Sequence, residues 1–141
     1  MAQLRLGYGE ITTRRAEVLQ ITHNTAEEAR RYRRHYPMAF PYLADADRAV
    51  HERYGVPLQE DLGANLRTVA ESTVAAAADF LLRGERTANP IPAARRWGGR
   101  SAEQAVFVVD RGGVIRAVYT AGTNAAIPTV ATLARDLDAL R

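Results

Sequence analysis

Glu17-Val-Leu-Gln-Ile-Thr22, followed after His23-Asn24 by Thr25-Ala-Glu-Glu28, is the stretch on which the fold turns. Residues 17–22 form a short run with aliphatic and β-branched side chains, closed by a turn dipeptide, and predict a buried strand. Thr25 and Glu28 stand in capping-box register. The Thr hydroxyl can accept from the third helical N–H while the Glu carboxylate reaches back, so a helix begins at once. It runs to about Tyr36 with Ala29, Tyr32 and Tyr36 inward, and Pro37 ends it. A second apolar run follows at 39–44 (Ala-Phe-Pro-Tyr-Leu-Ala). Two strands joined by a crossover helix are parallel. Pro41 has no N–H to give a ladder, which places the second strand at a sheet edge.

Outward toward the C-terminus, Asp45-Ala-Asp47 starts a short helix over 48–54, with Val50 and Tyr54 inward and Gly55 closing it in the left-handed conformation. A loop at 57–63 leads to the longest helix, 64–83, whose apolar stripe is Leu66, Val69, Thr73, Ala76, Phe80 and Leu81. A loop at 85–100 carries Pro90, Pro92, Gly98 and Gly99. Residues 105–110 (Ala-Val-Phe-Val-Val-Asp) predict a strand, Arg111-Gly112-Gly113 a tight turn, and 114–120 the returning strand. Pro128 suits the first turn of a last helix lined by Ile127, Val130, Leu133, Leu137 and Leu140. Outward toward the N-terminus, residues 2–15 read as the later part of a helix. Leu4, Tyr8 and Ile11 share a face, Gly7 and Gly9 weaken it, and no capping residue precedes Ala2. The order α-β-α-β-α-α-β-β-α predicts one α/β domain over 1–141, a mixed sheet with helices on both faces.

Composition narrows the function classes. A chain of 141 residues, 47% hydrophobic and 25% charged, can bury a core without staples. Net charge is +3, and every one of the 19 basic residues is Arg. They are scattered, at Arg30, Arg31, Arg33, Arg34 and again at Arg95, Arg96, Arg100. Glu27 and Glu28 ahead of Arg31 and Arg34 describe a solvated helix face with i,i+4 pairs, so no nucleic-acid partner is expected. No apolar run approaches about 18 residues, so no membrane span is expected. No secretory pattern opens the chain, and a cytoplasmic location is expected. There is no cysteine, which removes disulfides and thiol chemistry. His23, His35 and His51 fit no metal-ligand spacing, so neither a metal nor a cofactor is expected.

Three stretches in order resemble one family. Arg15-Ala-Glu-Val-Leu-Gln-Ile-Thr22 with Thr25-Ala-Glu-Glu-Ala-Arg30 is similar to its strand-then-helix segment. Phe40-Pro-Tyr-Leu-Ala-Asp45, then Val50 and Tyr54-Gly55-Val56, is similar to its Phe-Pro-x-Leu-x-Asp and Tyr-Gly-Val block. Val106-Phe-Val-Val-Asp-Arg-Gly-Gly-Val-Ile-Arg116 is similar to its hairpin. Together, from about residue 8 to 120, they resemble the alkyl hydroperoxide reductase/thiol-specific antioxidant group, the redoxins. The helix at 64–83 resembles an insert of a peroxiredoxin-like subgroup. The resemblance implies a thioredoxin-like three-layer sandwich and antioxidant, thiol oxidoreductase or peroxidase ancestry. It also implies a central strand ending in a reactive Cys ahead of the helix that 2–15 matches. That strand and its catalytic loop are lacking here, so the chain is expected to be N-terminally truncated and inactive as a peroxidase.

The same comparison implies a thiol reductant as partner of a longer, cysteine-bearing parent. It offers no catalytic residue in this chain. Gln104 stands where the family often has an Arg beside the thiolate, which makes Gln104 a neighbour of the substrate cleft or simply a polar residue where a strand begins. Losing a central strand would strand buried backbone groups at about 1–3 kcal/mol each, against a total stability of roughly 5–15 kcal/mol. The alternative function is a cysteine-free thioredoxin-fold binding module, and a basic nucleic-acid accessory protein is a remote third. Among other polar residues, His23 at a strand end reads as a turn residue. Asp45 and Asp47 read as helix caps rather than cation ligands, and Asp110 with Gly112-Gly113 as a hairpin turn. Arg95-Arg96-Trp97 reads as a loop anchor, and His35, His51, Tyr32 and Tyr36 as ordinary helix residues. The oligomeric state is left open.

Overall fold

The computed structural model describes residues 2–58, 103–121 and 127–140, with single helical positions between 63 and 81. The region predicted as a helix over 2–15 is two short helices, α1 (Ala2–Leu6) and α2 (Tyr8–Thr12), broken at Gly7. At the break the backbone lies close against the last helix. A Cβ built on Gly7 would meet Val130 Cγ2 at 2.5 Å, so only glycine lets this backbone approach the last helix. Gly7 caps α2 without a side-chain hydrogen bond. Ile11, on the predicted inner face, is buried.

Strand β1 is Gln20–Thr22, shorter than the predicted 17–22. Its helix α3 (Ala26–His35) starts as the sequence requires: Thr25 accepts from the Glu28 N–H, and the Glu28 carboxylate accepts from the Thr25 N–H at 2.7 Å. Ala29 is buried, and Tyr32 stacks on Tyr42 with ring centroids 5.4 Å apart. Strand β2 (Tyr42–Ala44) pairs with β1 in parallel, Gln20 opposite Tyr42 and Thr22 opposite Ala44. Phe40, just ahead of β2, is the most completely buried large side chain among the described residues and lies against the Tyr8 ring.

Helix α4 (Ala49–Arg53) is entered through Arg48, a non-glycine residue in the left-handed region (φ 61°). Gly55 is left-handed at φ 66°, as predicted. Tyr54 was expected to face inward. It is instead half exposed, its ring set edge-on to Phe107 at 5.1 Å. Of the predicted stripe at 64–83, Leu66, Thr73 and Leu81 are helical but exposed, so the inner face does not run through them. Val69, Ala76 and Phe80 lie outside the described residues, as do the loop 85–100 and Arg95-Arg96-Trp97.

Strands β3 (Gln104–Val109) and β4 (Ile115–Ala121) form the predicted antiparallel hairpin, with an irregularity between Val108 and Val109. Asp110 organises its turn, accepting from the Gly112 and Val114 N–H groups and from Arg116, and Gly113 adopts φ 81°. Helix α5 (Val130–Ala139) is capped by Thr129, so Pro128 precedes the cap instead of opening the first turn. Leu133 and Ala134 are its buried residues, whereas Leu140, expected inside, is exposed. Arg14 binds Asp138 at 3.1 Å and ties α2 to α5, while Tyr119 donates to Asp136 at 2.5 Å and ties β4 to the same helix.

The sheet departs from a continuous mixed sheet. Among the described residues, β1 pairs only with β2 and β3 only with β4, giving two two-stranded sheets. The segment 45–57 runs between them. It leaves β2 at Asp45, and at its far end the Glu103 N–H donates to the Pro57 carbonyl just ahead of β3.

Candidate functional site

The best-organised polar cluster lies at the C-terminal ends of β1 and β2, the end at which open α/β sheets place ligands. Each strand is followed by one residue of the cluster: His23 after Thr22, Asp45 after Ala44. The parallel register that sets Thr22 opposite Ala44 brings these successors side by side. The ladder continues one bond further, with the Asp45 N–H donating to the Thr22 carbonyl at 2.7 Å.

Asp45 is the hub. Its side chain is 4% exposed. It accepts from the Val50 N–H at 3.1 Å, from the His51 N–H at 3.0 Å and from the His51 ring at Nδ1, 2.5 Å away. It therefore satisfies donors at the start of α4 from four residues before the helix, a reach no cap residue adjacent to the helix needs. Asp47, predicted as a second cap, contributes one long contact of 3.4 Å to the Ala49 N–H. Burial pushes the Asp45 carboxyl up, but the hydrogen bonds from the His51 ring and from the His51 and Val50 amides outweigh it. Together with the imidazole charge they hold the group at about 2. Asp45 is thus ionised at neutral pH.

Arg48 supports the hub from below. It is buried, and its guanidinium donates to the Val56 carbonyl at 2.7 Å, closing a loop across α4. A left-handed conformation costs an ordinary L-residue about 1–2 kcal/mol. A charge-assisted hydrogen bond of this kind contributes roughly 1.5–3 kcal/mol, enough to hold it.

His51 and His23 complete the cluster. Their ring centroids are 6.3 Å apart and their planes 75° to one another. The His51 side chain is 10% exposed. Sequence spacing does not reveal this pair, because positions 23 and 51 meet only through strand pairing and the Asp45 tether. Among the described residues no group of three or more His, Cys, Asp or Glu side chains is placed to hold a metal ion. Gln104, the sequence candidate for the cleft, is the exposed first residue of β3, opposite Ala121. The cluster at 23, 45 and 51 stands on the other sheet.

Tyr8 and Tyr119 are two further perturbed groups, beside Tyr32, raised chiefly by burial, and Asp110, lowered chiefly by the Val114 amide. Each phenol donates to a carboxylate, Tyr8 to Glu17 and Tyr119 to Asp136, and that bond first, then burial, raises it above its usual range. Both are half-buried and serve as ties between segments.

A family model described as the AhpC/TSA family matches residues 1–118. No curated protein matches the chain, and no solved structure does.

Proposed function

The chain belongs to the AhpC/TSA family, with the thioredoxin-like α/β fold that membership carries, and on that premise we propose that it is the cysteine-free scaffold of a peroxiredoxin-like redoxin, inactive toward peroxide by itself. The observation that carries the reading is chemical. Peroxide reduction in a thiol enzyme is attack of a thiolate on the O–O bond: the sulfur takes one oxygen as sulfenate and the other leaves as water or alcohol. That step needs a thiolate of lowered pKa. The only sulfur here belongs to two methionines, and a thioether cannot supply that nucleophile.

The thiol would then come from outside these 141 residues, on a strand set between β1 and β3. One feature supports this placement: among the described residues neither strand has a partner beyond its own two-stranded sheet. Gln104, exposed at the start of β3, would stand at the rim of the cleft so completed. A thiol reductant would serve the completed protein.

The test is direct. Purified protein is incubated with hydrogen peroxide or an organic hydroperoxide and excess dithiothreitol, and peroxide loss is followed against buffer. No catalysed loss is expected, and a turnover rate above buffer overturns the reading. Translating the DNA upstream in frame separates the redoxin from a cysteine-free binding module: a strand followed by Cys favours the first, a stop codon or a thiol-free segment the second.

A further inference from the structure

The helical positions described between 63 and 81 are all exposed, and they share a face. Leu66, Ala70, Thr73, Val74, Ala77 and Leu81 follow one another at steps of four, three, one, three and four. Steps of three and four keep side chains on one side of a helix. A solvated helix face in this protein looks different. On α3 the exposed positions are Ala26 and five charged residues, Glu27, Arg30, Arg31, Arg33 and Arg34. Among the described positions of the 63–81 stretch, Arg67 carries the one charge. Leu66 is 64% exposed, Val74 69% and Leu81 79%, so three large apolar side chains stand in water along one stripe. Contiguous apolar surface of this kind marks a contact with another molecule.

The order of residues along the stripe names the occupant. Read backward from Leu81, it gives the same steps as read forward from Leu66, and nearly the same sizes: Leu, Ala, Val against Leu, Ala, Thr. Thr and Val share one branched shape. A stripe that is its own reverse is self-complementary about a two-fold axis midway between Thr73 and Val74. Two copies crossing antiparallel there set Leu66 opposite the partner's Leu81, Ala70 opposite the partner's Ala77 and Thr73 opposite the partner's Val74. The small residues in the middle let the helix axes approach to about 8 Å. The leucines then close over both ends. From Leu66 to Leu81 the rise is about 22 Å. A helix pair of that length buries on the order of 800–1,000 Å² in all, the low end of specific interfaces, which makes the contact reversible.

We propose that the exposed stripe from Leu66 to Leu81 is a homodimer seam, on which a second copy of this chain packs antiparallel about an axis between Thr73 and Val74. The seam uses no thiol and no peroxide chemistry, so it stands independently of the redoxin reading.

Sedimentation equilibrium of the purified chain from about 5 to about 500 μM tests it and should show a monomer–dimer equilibrium with a micromolar dissociation constant. Val74→Glu puts two like charges beside the axis and should weaken association at least about tenfold. Val74 is exposed in the single chain, so the variant keeps its fold, and far-UV circular dichroism checks this. Cross-linking reads the register. The natural chain has no cysteine, so introduced thiols report alone. Under mild oxidation, Leu66→Cys mixed with Leu81→Cys should give a mixed disulfide dimer, identified by mass. Leu66→Cys alone should not link, because its own mate lies about 22 Å away along the seam and a disulfide spans only about 4.4–6.8 Å between Cα atoms. A monomer across the whole concentration range overturns the proposal. So does a dimer indifferent to Val74→Glu, or Leu66→Cys that links to itself as readily as to Leu81→Cys.

Discussion

Replacing Asp45 by Asn removes the charge from the hub of the 45–57 segment while keeping its shape. In the parent, one carboxylate serves two backbone amides and the His51 ring, all within 3.1 Å. The Asn amide oxygen can take part of that load, but its NH2 group faces donors. Leaving a buried donor unmet costs about 1–3 kcal/mol. Linkage offers a second route to the magnitude. A carboxyl ordinarily at 3.8 and held at about 2 has shifted by a little under two units, at about 1.4 kcal/mol per unit. Solvent screening of the charge reduces the contribution to about 1–2 kcal/mol. The two routes agree on a destabilisation near 2 kcal/mol at pH 7. Because the folded-state pKa is depressed, the charge stabilises the fold above the unfolded value. The contribution fades as pH falls from about 4 toward 2 and is lost below that, where the carboxyl is protonated in both states. Urea unfolding followed by far-UV circular dichroism at pH 7 and pH 2.5 measures it. The gap between parent and Asp45→Asn should be wide at pH 7 and narrow at pH 2.5. Equal midpoints at pH 7, or a gap that ignores pH, would refute the assignment of Asp45 as the hub.

Gly7→Ala should destabilise by about 1–3 kcal/mol, since its new methyl must displace Val130 at 2.5 Å, and a lowered thermal midpoint reads it. Pairing it with Val130→Ala should recover part of the loss if the contact is the cause. Thr25→Ala should cost about 1 kcal/mol by removing the side-chain acceptor of the Glu28 N–H, read as a lower urea midpoint with an unchanged slope.

The parts of this structure legible in the sequence are those set within a few residues. The capping box at Thr25 and Glu28 names its helix because both partners lie in one turn. The hairpin is equally local: Asp110, Gly112 and Gly113 build their turn from side-chain acceptance and a positive φ. The rest of the order came from apolar runs and the turn and capping residues between them. The candidate cluster is different in kind. His23 and Asp45 become neighbours through the register of two parallel strands, which period and composition do not encode. Asp45 looks like a helix cap, and it is one, but its bond to the His51 ring depends on the path of Ala46-Asp47-Arg48, where Arg48 adopts a conformation its residue type disfavours. The expected inner stripe at 64–83 misplaced Leu66, Thr73 and Leu81 because helical period gives a face but not its direction.

Splitting the strands into two pairs has a consequence for how the protein opens. Amide protons in a continuous sheet share one fate, since each ladder guards the next. Among the described residues the β1–β2 ladder and the β3–β4 ladder each pair only within themselves, and the Arg14–Asp138 bridge and the 45–57 segment are among the ties between the parts of the fold that carry them. Hydrogen exchange should therefore resolve two protection classes instead of one, because local opening follows cooperative units. Weakening the bridge with Arg14→Ala should spread those classes further apart.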